Sequence, residues 1–115
     1  MVTVKIYHNV RCSKSREVCS IVAEKGIKAD IIEYLKTPPS QKEIQELLQL
    51  LKVKAEDIVR KGEDLYKTKY KGKTISEKEW IKILAENPIL IERPIIVNGK
   101  KAVVGRPPEK VLEII

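Results

Sequence analysis

Several residue types and segment types are scarce or missing in this chain of 115 residues. It has no Phe, one His and two Cys, and aromatic residues make up only 4 %. Scattered aromatic side chains do not form a surface on which the bases of a single strand could stack, so we expect no nucleic-acid partner. One His and two Cys at this spacing do not make a zinc set, so we expect no metal. Two Cys also fall short of the disulfide framework of a small secreted protein.

Long apolar segments are also absent. No apolar run approaches the roughly 18 residues that a membrane span needs. The opening "MVTVKIYHN" alternates apolar and polar residues and lacks the shape of a signal peptide. We therefore expect a cytoplasmic protein with no membrane partner. A hydrophobic content of 43 % at this length predicts one globular domain over residues 1–115.

The charge of the chain favours anionic partners. The formal net charge is +7, and the basic residues comprise eighteen Lys and five Arg. Because Lys supplies most of the surface charge, we expect each Arg to be present for its guanidinium group. That group offers a planar fork of N–H donors, which suits an oxyanion. The five are Arg11, Arg16, Arg60, Arg93 and Arg106.

The first third of the chain has a strand, helix and strand pattern. Alternation over residues 2–7 predicts a strand. "SKSREVCSIVAEKG" predicts a helix that Ser13 or Ser15 caps and that Gly26 ends. "ADIIEYL" predicts a second strand, and the short spacing indicates a parallel pair.

The middle of the chain predicts helices. After the break "KTPPS", two capping boxes pair Ser40 with Glu43 and Ser76 with Glu79. Between them we expect a short helix over "AEDIVRK" and a basic loop over "KTKYKGKT". The helical pattern runs from Ser40 to about residue 86.

The last third returns to strand. "RPIIVNGKKAVVG" predicts a hairpin that turns at Asn98-Gly99, and "RPPEKVLEII" predicts a closing helix. The chain therefore belongs to the α/β class, in the order β-α-β, helical insertion, β-β-α. Pro94, directly after Arg93, is unusual for a central strand and suits a turn or a cis bond.

Cys12 is the leading candidate for a reactive residue. It lies between the first strand and the first helix, outside the carboxyl end of a strand, where ligands of parallel α/β units bind. Backbone N–H groups of Ser13, Lys14 and Ser15 would face its sulfur and lower its pKa below about 8.5. The alternative is that Cys12 is a small buried apolar residue.

Cys19 and His8 have weaker patterns. Cys19 is seven residues from Cys12, about 10 Å along a helix, whereas a disulfide needs about 7 Å or less. Its helical spacing with Val18 and Val22 is typical of a core residue. Ser15 stands where the second Cys of a Cys-x-x-Cys motif would lie, so a redox cycle at Cys12 needs an external thiol. His8 is either a helper of Cys12 or a residue facing solvent.

Five segments together resemble a known family. "YHNVRCSKSR" resembles the active-site opening of the ArsC-type arsenate reductases, the glutaredoxin-coupled branch of the thioredoxin superfamily, and "CSKSR" resembles its arsenate-reductase-like subgroup. The similarity continues in the same order through most of the chain, with "YLKTPPS", "IVRKGEDLYK", "NPILIERPIIV" and "VVGRPPEKVLEI".

The resemblance implies a chemistry. Cys12 would attack arsenate, and His8 would help to hold Cys12 as a thiolate. Arg60, Arg93 and Arg106 would bind the oxyanion. Glutathione would act as co-substrate without any bound cofactor, and glutaredoxin would be the protein partner that restores Cys12.

The resemblance also implies a fold. It is thioredoxin-like, with a mixed β-sheet flanked by helices, a helical insertion at about 38–87 and a cis-proline at Pro94. Two alternatives share this fold. One is an Spx-type regulator that binds RNA polymerase, although such regulators carry a Cys-x-x-Cys switch and this chain has Ser15. The other is a thiol oxidoreductase that acts on a substrate other than arsenate.

Overall fold

The computed structural model describes residues 3–115. Val2, in the predicted first strand, lies outside the described residues. The chain forms two compact units, one made of the residues up to Thr37 together with Arg93–Ile115, the other of Pro38–Glu92. The insertion predicted at about 38–87 falls inside the second. Within residues 3–115, no helix is both long and apolar enough to cross a membrane.

The first unit contains a mixed four-stranded sheet. Its elements are β1 (Thr3–His8), α1 (Ser13–Glu24), β2 (Lys28–Glu33), β3 (Ile95–Asn98), β4 (Lys101–Val104) and a 3₁₀ helix (Pro108–Glu113). The sheet order is β2-β1-β3-β4, with β2 parallel to β1 and the other pairs antiparallel. The parallel pair and the hairpin were both predicted, and Gly99 adopts the positive φ of 61° that the hairpin turn requires.

The core of this unit follows from two periodicities. Alternate residues of β1 and residues four apart on α1 point into one apolar cluster, because strands repeat every two residues and helices every 3.6. The cluster comprises Val4, Ile6, Val18, Val22, Ile96 and Val111. Packing of α1 on the sheet fixes both ends of the loop between β1 and α1.

Gly105, directly after β4, lies against this core. A Cβ at Gly105 would come within 2.8 Å of Val18 Cγ2 and 3.0 Å of Pro94 Cγ. Its N–H donates to the carbonyl oxygen of Pro94 at 2.8 Å. Only glycine allows the backbone to come this close to Val18 and Pro94. The close contact places the next residue, Arg106, beside Arg93.

The second unit is helical. Its elements are α2 (Gln41–Leu51), a 3₁₀ helix (Ala55–Ile58), α3 (Asp64–Lys69), α4 (Glu77–Glu86) and a 3₁₀ helix (Pro88–Leu90). The hydroxyl of Ser40 accepts from the N–H of Glu43 at 3.1 Å, and that of Ser76 accepts from Glu79 at 3.2 Å. Both predicted helix starts are confirmed.

The helix predicted over "AEDIVRK" is wrong beyond Ile58. Val59 instead forms an antiparallel bridge with Ile91, and the N–H of Arg60 donates to the carbonyl oxygen of Leu90 at 2.7 Å. Pairing with a distant segment therefore replaces the local helical bonds here.

The basic loop predicted over "KTKYKGKT" is wrong in its first part, because α3 continues to Lys69. Asp64 in its first turn and Lys67 and Lys69 in its last turn complement the helix dipole. Tyr66 also stacks on Trp80 of α4, with ring centroids 6.4 Å apart. This tertiary contact favours the helix.

Three local predictions in the first unit are corrected. Neither Ser13 nor Ser15 caps α1, because Cys12 occupies the N-cap position. The second strand ends at Glu33, so Tyr34 lies beyond it. The closing helix is 3₁₀ rather than α, and the Pro residues that begin it offer no backbone N–H.

Candidate active site

The loop from Asn9 to Cys12 is held by its own hydrogen bonds. The carbonyl oxygen of Asn9 accepts from the N–H of Cys12, and its Oδ1 accepts from the N–H of Arg11, each at 3.0 Å. Arg16 Nη1 donates to the carbonyl oxygen of Val10 at 2.8 Å. The sequence analysis did not single out Asn9, although Asn at the start of a tight turn is a recognisable signal.

The Cys12 sulfur is surrounded by hydrogen-bond donors. They are the backbone N–H groups of Lys14 and Ser15, the Ser15 hydroxyl, the Arg93 guanidinium, and Arg106 Nη2 at 3.5 Å. Burial of the side chain raises the pKa of Cys12, but the donors outweigh it and lower the pKa to about 7. The sulfur therefore carries a large thiolate fraction at neutral pH, in the direction predicted.

Ser15 is fully buried beside this sulfur. Its Oγ accepts from the backbone N–H of Asn9 at 3.3 Å, and its hydroxyl donates to Cys12. Ser15 thus contributes a donor to the thiolate at the position where a Cys-x-x-Cys motif would supply a second sulfur. Ser13, the first residue of α1, is exposed.

The β3–β4 hairpin brings Arg93 and Arg106 together. Arg93 precedes β3, Arg106 follows β4, and Arg106 Nε donates to the carbonyl oxygen of Arg93 at 2.8 Å. The Arg93–Pro94 bond is cis, as the resemblance implied. The Arg106–Pro107 bond is also cis, which the sequence analysis did not predict.

Tyr34 is a component of this site that the sequence analysis missed. It is 1 % exposed and hydrogen-bonds the Arg93 guanidinium. Burial lowers the pKa of Arg93, but Tyr34 and Cys12 outweigh it, so the pKa is raised and the charge is retained. No local pattern marks Tyr34, because its partner lies far along the chain.

His8 lies at the end of β1, next to α1. It is 7 % exposed, and its Nδ1 is 3.7 Å from the Cys19 sulfur. Burial lowers the pKa of His8, while Glu33 acts in the opposite direction and Arg16 reinforces the effect of burial. Burial raises the pKa of Cys19. An interaction of His8 with Cys12 stays a prediction.

Arg60 belongs to the second unit. Its Nη1 contacts Glu92 Oε1 at 3.1 Å, and its Nε lies 3.7 Å from Glu63 Oε1. These carboxylates neutralise part of its charge. Its predicted role in binding an oxyanion stays a prediction.

The first unit therefore brings together a thiol of lowered pKa and two guanidinium groups. A thiolate at a helix N-terminus, with guanidinium groups at its sulfur, can attack the central atom of a tetrahedral oxyanion while the cations offset the negative charge. Among residues 3–115, no group of three or more His, Cys, Asp and Glu side chains could hold a metal ion.

Comparison with known proteins gives consistent results. The model of the ArsC family matches residues 7–114. The chain is 45 % identical to the uncharacterized protein YfgD of Escherichia coli, covering 97 % of this chain and 96 % of that one. It is 42 % identical to the arsenate reductase of Haemophilus influenzae, covering 98 % and 99 %. The structure of the arsenate reductase from Vibrio cholerae superposes with a TM-score of 0.95 at 43 % identity, covering 99 % and 98 %.

Proposed function

Because this chain belongs to the ArsC family, we propose that it is an arsenate reductase that uses Cys12 as its nucleophile. The observation that carries the proposal is the convergence of the Arg93 and Arg106 guanidinium groups on the Cys12 sulfur. An enzyme that attacks an anion with an anion needs fixed positive charge at that position.

The first step is attack by the thiolate. The Cys12 sulfur forms a bond to arsenic, and one arsenate oxygen leaves as water after it takes up protons. Arg93 and Arg106 offset the negative charge that accumulates between sulfur and the remaining oxygens. The family resemblance adds Arg60 as a third cation for the same oxyanion.

Reduction then needs two external thiols, because Ser15 supplies no second sulfur. Glutathione replaces another arsenic-bound oxygen, which leaves as water. A glutaredoxin thiolate attacks the glutathione sulfur, the sulfur–arsenic bond breaks, and its electron pair stays on arsenic. Arsenic is thereby reduced while the two thiols are oxidised to a mixed disulfide. Hydrolysis of the Cys12–arsenic bond releases arsenite and restores the thiol.

The donors on α1 have a separate role. The N–H groups of Lys14 and Ser15 and the Ser15 hydroxyl hold the sulfur as the anion, before the attack and again as the leaving group. Ser13 belongs to the same first turn of the helix. His8, by the family resemblance, supports the thiolate from the end of β1.

The proposal is tested by a coupled assay. The purified protein is mixed with arsenate, glutathione, glutaredoxin, glutathione reductase and NADPH, and loss of NADPH is followed. We expect oxidation that depends on arsenate and disappears in Cys12→Ser. Arg106→Gln should lose most activity, whereas Arg11→Gln should keep it, because Arg11 is exposed and its backbone N–H, which bonds Asn9, is unchanged in the variant.

Absence of turnover with active coupling enzymes would reject arsenate as the substrate. A thiol oxidoreductase acting on another oxyanion would then be the next candidate, since the cations at the sulfur are not specific to arsenic. An Spx-like regulator is disfavoured by Ser15, and it would be indicated by co-purification with RNA polymerase.

A further inference from the structure

The contact between His8 and Cys19 has no part in the steps described so far. It lies within the first unit, with His8 on β1 and Cys19 on α1, and Nδ1 and Sγ are 3.7 Å apart. His8 is almost fully buried, and Cys19 is half-buried beside the apolar cluster. Such a contact orders the ring of the chain's single histidine.

Chemistry determines which atom donates. An unprotonated imidazole nitrogen is a good acceptor, whereas a thiol sulfur is a weak one, so the S–H of Cys19 donates to Nδ1. The reverse bond, in which Nδ1–H donates to the thiol sulfur, would use that weaker acceptor. An imidazolium facing a thiolate would place two charges in a partly buried pair at a cost in desolvation.

The groups that face the ring leave this assignment unchanged. Glu33, the β2 residue that pairs with His8 in the sheet, favours the charged ring. Arg16 of α1 and burial both disfavour it, and burial is the largest effect. Burial and Arg16 therefore favour the neutral ring, which has one proton to place. A hydrogen bond accepted at Nδ1 places that proton on Nε2.

We propose that Cys19 is a positioning residue that holds His8 as the neutral Nε2–H tautomer. His8 then offers a single N–H donor and no positive charge. The inference rests on the proposed function for its consequence, namely that the positive charge at Cys12 comes from arginine alone and His8 serves the site as a neutral donor. The tautomer itself can be measured without any substrate.

The test is an NMR experiment on the full chain. Because the protein has one histidine, long-range ¹H–¹⁵N correlations give the tautomer of His8 without ambiguity. We expect Nε2 protonated and Nδ1 bare at pH 7 in the native protein and in Cys12→Ser. Cys19→Ala should populate both tautomers, and Cys19→Ser, which keeps a donor, should restore Nε2–H.

Each outcome is decisive. An Nδ1–H tautomer or an imidazolium at pH 7 in the native protein overturns the inference, even if the variants fail to fold. So does a Cys19→Ala protein with an unchanged spectrum. Failure of the coupled assay with the Nε2–H tautomer intact counts against arsenate reduction and not against this pair.

Discussion

At the scale of single residues, Cys12 and Cys19 show how surroundings control one chemical group. Both sulfurs are partly removed from water, and burial alone raises the pKa of each. Cys12 also receives N–H and O–H donors from the first turn of α1 and from arginine, so its pKa falls to about 7, whereas that of Cys19 rises. Position relative to the helix N-terminus therefore separates a thiol of lowered pKa from a thiol of raised pKa.

We expect the rate of Cys12 alkylation by iodoacetamide to rise with pH and to reach half its maximum near pH 7. The reactive form is the thiolate, and its fraction follows the pKa. The fast phase should be missing in Cys12→Ser, with only slow labelling of Cys19 left. A midpoint at or above about 8.5, the value of an unperturbed thiol, would contradict the donor arrangement.

Tyr34→Phe should weaken arsenate binding without abolishing activity. The phenol hydroxyl bonds the Arg93 guanidinium, and a hydrogen bond to a charged group is worth about 1.5–3 kcal/mol. We expect the KM for arsenate to rise roughly tenfold, equivalent to about 1.4 kcal/mol, and the midpoint of Cys12 alkylation to move upward. Tyr66→Phe is the matched control, because Tyr66 stacks on Trp80 in the other unit. If the two variants had the same KM and the same alkylation midpoint, Tyr34 would have no role in the site.

At the scale of elements, the β3–β4 hairpin and α1 build the site together. α1 supplies the N-terminal donors and the hairpin supplies Arg93 and Arg106 at its two ends. Antiparallel pairing places the residues before β3 and after β4 side by side, because the strands are joined by a tight turn. The mixed sheet flanked by helices is the thioredoxin-like fold that the sequence resemblance implied.

Gly105→Ala should destabilise the first unit by about 1–3 kcal/mol, the usual cost of overpacking a core. The new methyl group would meet Val18 and Pro94 at 2.8 and 3.0 Å. Gly62→Ala is the matched control, because a Cβ there meets nothing within 4 Å. Urea unfolding measures the stability of both variants. Equal unfolding midpoints for Gly105→Ala and Gly62→Ala would show that the packing tolerates a side chain at Gly105.

At the scale of the whole molecule, ionisation of Cys12 couples to stability. The folded pKa is about 7, below the value of about 8.5 of an unperturbed thiol, so between these values the unfolded chain binds more protons than the folded one. Folding therefore becomes more favourable as pH rises through this window. The contribution is fully present above about pH 9 and is lost as pH falls through 7.

The free energy of unfolding should accordingly rise more steeply between pH 7 and pH 9 in the native chain than in Cys12→Ser. Subtracting the two curves removes every contribution that the two proteins share. Urea titrations at intervals across the window give the difference. Parallel curves would mean that the donors do not stabilise the thiolate.

The sequence by itself determined the order of the elements and the position of Cys12 at the start of α1. The alternation of β1, the capping serines at 40 and 76 and the Asn98-Gly99 turn are local signals, and each is satisfied within a few residues. Cys12 was found in the same way, because its environment is made largely by the turn that follows it.

Only the tertiary structure decided which distant groups meet. Tyr34, Arg93 and Arg106 converge through strand pairing, the bridge between Val59 and Ile91 replaces a predicted helix, and stacking on Trp80 accompanies α3. The contact of His8 with Cys19 depends on how α1 packs on β1. Such contacts join positions far apart in the chain, and no local pattern records them, because their energy comes from packing that exists only after folding.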